Sequence, residues 1–165
     1  MSAQPENDKP PIDLPKSSES EQLLKIRHTT SHVMAMAVQR LFPGTQVTIG
    51  PWIDNGFYYD FDAQENFSDA DLKKIRKEMI KIIKKKLPLV REEVSREEAE
   101  TRIKDLNEPY KLEILEDLQE PITIYHLGED WWEHIDPTSL LLGDKSWWVP
   151  ASLREFLTCR AHLSL

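Results

Sequence analysis

Apolar residues near the start of the chain recur at helical spacing. Between Glu21 and Phe42, Leu23, Ile26, Val33, Met34, Ala37 and Leu41 fall on one stripe, and Pro43-Gly44 stops the pattern. Ser18-Glu19-Ser20-Glu21 reads as a capping box, so order is expected to begin at Ser18. Two short β-like pieces follow, Gln46–Ile49 and Phe57–Phe61, with an antiparallel hairpin expected at the Asn55-Gly56 turn pair. Ser68 caps a second helix with Asp71 in the box position and a stripe of Leu72, Ile75, Met79, Ile82 and Ile83. Pro88 ends it, and Leu89–Val94 reads as a strand. Ser95 with Glu98 starts a third helix running to about Leu106, and Asn107-Glu108-Pro109 breaks the chain. Tyr110–Leu115 fits a short helix or a strand. Ile122–Leu127 is β-rich and ends at Gly128. Helices and hairpin-linked strands thus mix without a βαβ repeat. This predicts an α+β fold, an antiparallel sheet covered by helices.

Composition narrows the setting. The chain has 165 residues, 39% hydrophobic and 30% charged, enough for one domain with its own core. Residues 1–17 hold four prolines and almost no large apolar side chains, and read as a disordered leader. No apolar run approaches the roughly 18–20 residues that span a bilayer, so no membrane partner is expected. The N-terminus lacks a basic stretch followed by an apolar one, so a cytoplasmic location is the expectation. A single cysteine, Cys159, fits a reducing compartment. No pattern bears on oligomeric state.

Net charge is −8, which argues against a general nucleic-acid binder. The charge is uneven, however. Nine basic residues lie between Lys73 and Arg91, opposed only by Glu78. Lys73, Lys77, Lys84 and Lys85 are candidate RNA contacts on this run. A solvated helix face explains the same residues.

His28 and His32 stand four apart on the first helix. At 100° per residue they project roughly 140° and 180° from the centre of the apolar stripe. They are therefore expected to face away from it, toward an open cleft. Three roles remain open: idle surface groups, two ligands of a zinc site, or acid–base groups that orient water. Thr29 stands where zinc proteases place a Glu. No cofactor or metal is therefore expected, with zinc through His28 and His32 as the weak alternative.

The neighbouring residues add a resemblance. Arg27-His28-Thr29-Thr30-Ser31-His32, Ile49-Gly50-Pro51, and Asp54 through Asp60 resemble threonyl-tRNA synthetases. Ser95–Ala99, Pro109-Tyr110-Lys111, and Ile124-Tyr125-His126 through Trp131-Trp132 continue the likeness in unbroken order. It implies the family's editing domain, which hydrolyses serine misattached to the threonine tRNA. Such a domain answers a physical limit, because one methyl discriminates by only about 1–3 kcal/mol at a synthetic site. By this resemblance His28 and His32 match the first editing pair, while Tyr59 and Lys111 match positions lining the same pocket. Tyr59 alternates with Tyr58, so one of the two belongs to the core. Lys111 also reads as a surface lysine beside a turn.

The likeness breaks after Trp132. The family continues with an acidic residue and a Cys-x-x-x-His ending. Here Glu133 holds the acidic place, but His134-Ile135-Asp136-Pro137 follows. Cys159 and His162 have the wrong spacing to replace the lost pair. The expected organisation is a leader to residue 17, an editing-like domain over 18–133, and a divergent or aberrant tail over 134–165. The chain is expected to lack the family's aminoacylation core. The resulting expectation is a synthetase fragment with impaired editing, with tRNA as partner. The alternative is a non-catalytic module that binds tRNA or docks on a synthetase.

Overall fold

The computed structural model describes residues 16–128, together with the backbone of Trp132–Ile135 and Trp147–Trp148. After a 3-10 turn at Ser17–Glu19, the long helix α1 runs over Glu21–Leu41. Its N-cap is Ser20, whose hydroxyl accepts from Leu23 N, not the expected Ser18. A hairpin region follows with β1 (Gln46–Val47), β2 (Trp52–Ile53), β3 (Gly56–Phe57) and β4 (Phe61–Asp62). Then come α2 (Asp69–Lys85), β5 (Pro88–Val94), α3 (Arg96–Leu106), α4 (Pro109–Glu116), β6 (Ile122–Leu127), β7 (Trp132–Ile135) and β8 (Trp147–Trp148). The α+β expectation holds.

The main sheet has the order β7-β6-β5-β8 and is antiparallel throughout. Alternation along β5 and β6 divides its side chains between two cores. Leu89, Tyr125 and Leu127 join α1 and α2, with Met34, Val38, Met79 and Ile82 at the centre. Val94, Ile122 and Ile124 meet Ala99 and Ile103 of α3 and Leu115 of α4. The sheet therefore lies between two helix pairs. Tyr110–Leu115, ambiguous in sequence, is helical, with Pro109 at the first position where its missing N–H costs nothing.

α2 forms as its sequence predicts. Ser68 accepts from Asp71 N, and Asp71 accepts from Ser68 N, completing the capping box. Ile75, Met79, Ile82 and Ile83 are buried, but Leu72 is 36% exposed and leaves the expected stripe. The hairpin also differs in detail. Ile53 pairs with Gly56, so the turn residues are Asp54-Asn55, one position earlier than expected. β1 pairs with β4, and Thr48 and Asp60 continue that pairing inward. No helix among the described residues is long and apolar enough to cross a membrane. Residues 1–15 of the expected leader lie outside the described residues, as does most of 134–165.

Candidate functional site

The site is built on α1, and α1 is unusual in its burial. Every residue from Arg27 to Val38 is buried, not one stripe. Small and hydroxylated side chains make this possible. Thr30 Oγ1 donates to Ile26 O at 2.6 Å, satisfying a buried hydroxyl within the helix. Ser31 Oγ lies within donating reach of His28 O at 2.7 Å and Gly50 O at 2.8 Å. Arg27 Nη1 donates to Asp54 O at 2.7 Å. These contacts bring Gly50 and the β2–β3 turn onto the helix face that the apolar stripe leaves open.

His28 and His32 are therefore not surface groups. They are 5% and 1% exposed. This corrects the expectation that they face away from packed structure. The face that helical arithmetic sets opposite the stripe is covered too, and its Ala35 and Met36 belong to the core. Their rings meet edge to face, with centroids 4.6 Å apart and planes at 89°. This places the positive edge of one ring against the π face of the other.

Tyr59 is the buried member of the Tyr58–Tyr59 pair, at 1% exposure. Its ring stacks on Phe61 at 4.9 Å and 20°. Phe61 meets Phe67 edge to face, and Phe67 packs on Phe42. The Cδ2–Cε2 edge of the Tyr59 ring lies against Gly50. A Cβ at Gly50 would stand 2.2 Å from Tyr59 Cδ2 and 2.8 Å from Ser31 Oγ. Only glycine lets this tyrosine approach the segment of α1 between the two histidines.

Lys111, 4% exposed, is buried on the inner side of α4 with Glu108 and Leu115, so it is not a surface lysine beside a turn. Glu108 is a residue that the sequence pattern did not single out. Its carboxylate accepts from Gln39 Nε2 of α1 at 2.7 Å and from Val47 N of β1 at 3.4 Å. Tyr110 Oη donates to Asp62 Oδ2 at 2.8 Å, tying the same turn of α4 to β4. Glu133 stands on β7 opposite Tyr125, and α4 packs beside β7. The Glu133 side chain, Cys159 and His162 lie outside the described residues. Among the described residues, no three His, Cys, Asp or Glu side chains come together to hold a metal ion.

The basic run forms the outer face of α2. Lys73, Lys77, Lys84 and Lys85 are exposed, and Lys73, Lys77 and Lys84 lie directly opposite the buried stripe. Lys74 and Lys81 pair with Asp71 and Glu78 at 2.8 Å, and Arg40 reaches Glu78 at 3.7 Å. Asp71 is held down at about 2 by Lys74, then by Ser68. Lys81 first, and then Arg40 and Lys85 by charge, lower Glu78 against its burial.

No protein-family model matches the chain. Curated relatives do. It is 71% identical over 129 residues to the threonine–tRNA ligase of Thermosynechococcus vestitus, covering 78% of this chain and 21% of that protein. It is 66% identical over 133 residues to that of Synechocystis sp., covering 78% and 22%. With that of a Synechococcus sp. strain it shares 68% identity over 136 residues, covering 79% and 22%. The chain spans about a fifth of the length of the curated relatives it matches. The matched part is their N-terminal region.

Proposed function

We propose that this chain, homologous to the N-terminal part of threonine–tRNA ligases, carries a serine-editing type of site that receives the 3′ end of a mischarged threonine tRNA. The observation that carries this reading is the buried, edge-to-face His28–His32 pair, with Gly50 and Tyr59 packed close to Ser31 of the same helical turn. Two imidazoles held edge to face within one helical turn suit proton handling near neutral pH. Close packing around them suits a sieve. A serine ester fits where the additional methyl of threonine has no room. There a positioned water would attack the ester carbonyl, the C–O bond to the ribose would break, and the ribose oxygen would take a proton.

Hydrolysis by this chain is expected to be weak. The sequence after Glu133 lacks the family's Cys-x-x-x-His, so only half of the side-chain set is present. The test is deacylation of Ser-tRNA(Thr) by the purified chain against Thr-tRNA(Thr). The expected result is little turnover of either. Robust turnover of the serine ester that vanishes in His28→Ala would show that the pair suffices, and would remove the claim of impairment.

A second reading is favoured by α2. Lys73, Lys77 and Lys84 form no ion pair among the described residues, and Lys85 acts on Glu78 by charge. They offer a ridge for a phosphate backbone, which would make the chain a tRNA-binding module without chemistry. Its signature is affinity that falls steeply with salt. A flat salt response would exclude it.

A further inference from the structure

Glu108 occupies the N-cap position of α4, yet its side chain makes no capping bond to its own helix. A buried carboxylate is costly unless donors surround it. Two of its donors come from distant elements, Gln39 of α1 at 2.7 Å and the Val47 N–H of β1 at 3.4 Å. Gln39 is not an arbitrary anchor. Relative to His28, His32 is rotated by roughly 40° and Gln39 by roughly 20°, so all three share one face of α1. Gln39 lies roughly 10 Å along the axis from His32 at 1.5 Å per residue. Lys111 is one turn from Glu108 on the same buried side of α4. The Tyr110–Asp62 bond pins the residue between them.

We propose that Glu108 is a positioning residue: by clamping the start of α4 to the histidine-bearing face of α1, it sets where Lys111 stands relative to His28 and His32. The consequence for ligand binding rests on the editing reading above, but the clamp does not. Both carboxylate oxygens act as acceptors, so the neutral isostere Glu108→Gln must turn its NH₂ toward either Gln39 or Val47 N–H and lose that bond. The exchange Gln39→Glu with Glu108→Gln restores both bonds. The amide at 108 then donates to the carboxylate at 39, and its oxygen accepts from Val47 N–H.

The experiment follows the Lys111 side-chain resonances and the His28 and His32 ring resonances by NMR in the full chain, with exposed Lys104 as control. In parallel it measures binding of a seryl-adenosine whose 3′ ester is replaced by an amide. Glu108→Gln is expected to shift the Lys111 and histidine signals but not Lys104, and to weaken binding by about tenfold, the loss of one ligand hydrogen bond from a displaced Lys111. The exchanged pair returns both readouts to wild type. Gln39→Ala, which removes only the α1 end of the clamp, is the gentler variant should Glu108→Gln not fold, and shifts the same signals. Unchanged Lys111 signals in either folded variant would overturn the proposal. So would an exchange that recovers melting temperature without recovering the signals. Failure of the wild type to bind the analogue would count against the editing reading, while the Lys111 signals would still decide the clamp.

Discussion

Replacing Gly50 by alanine tests, with a single methyl, the close approach of Tyr59 to α1. That methyl would lie 2.2 Å from Tyr59 Cδ2, 2.5 Å from Tyr59 Cε2 and 2.8 Å from Ser31 Oγ. Carbon atoms in contact prefer roughly 3.5–4.0 Å, so the overlap with the ring exceeds 1 Å by about 0.3 Å or more. The ring cannot swing clear easily, because it is 1% exposed and stacked on Phe61. Overpacking of this kind costs about 1–3 kcal/mol. Moving the Gly50 carbonyl off Ser31 Oγ costs about 1 kcal/mol more. A total near 3 kcal/mol lowers the melting temperature by roughly 6–12 °C for a chain of this size. Urea denaturation followed by tyrosine and tryptophan fluorescence measures it. Gly56→Ala is the control, since an added Cβ there meets nothing within 4 Å. Pairing Gly50→Ala with Tyr59→Leu should recover part of the loss. A Gly50→Ala variant within about 0.5 kcal/mol of wild type, the ordinary range for surface changes, would refute the close approach.

Three further outcomes follow. Ile103→Ala, in the smaller core where the side chain is fully buried, should cost about 2–5 kcal/mol in the same assay. Glu92 is lowered to about 2, first by the Arg102 hydrogen bond and then, against burial, by His126. Its folded value lies below the ordinary 4.5, so its contribution to stability is complete above that value and lost as pH falls toward 2. Arg102→Ala should raise the Glu92 value in a carboxyl NMR titration, and an unmoved curve would contradict the pairing. If RNA meets α2, each of Lys73→Ala, Lys77→Ala and Lys84→Ala should reduce the salt slope of tRNA binding by about 1, and unchanged slopes would exclude that face.

The legible parts of this fold are those whose causes are local. α2 and α3 declare themselves through Ser68 with Asp71, and Ser95 with Glu98, at the expected cap spacing. β6 declares itself through an unbroken β-rich run. α1 was legible as a helix but not as a central one. A 3.6-residue period reports one buried stripe, whereas here the hairpin covers the other side, and Thr29, Thr30 and Ser31 disguise buried positions as polar ones. Asn55-Gly56 signals a turn through its tolerance of positive φ, yet neither residue takes positive φ, and the pairing of Ile53 with Gly56 sets the turn. Of the candidate site, His28, His32, Tyr59 and Lys111 were visible through a family likeness. Glu108 was not, because its partners Gln39 and Val47 lie 69 and 61 residues away and leave no local pattern.

The central proposal is that the histidine face of α1 takes a seryl ester and has no room for a threonyl one. Calorimetric titration with the seryl and threonyl 3′-amide adenosines measures this directly, in wild type, His28→Ala and His32→Ala. The account predicts that the seryl compound binds at least about fivefold more tightly, as overpacking by one methyl requires, and that either histidine substitution reduces the preference. Equal affinity for the two compounds, or a preference untouched by both substitutions, would contradict it.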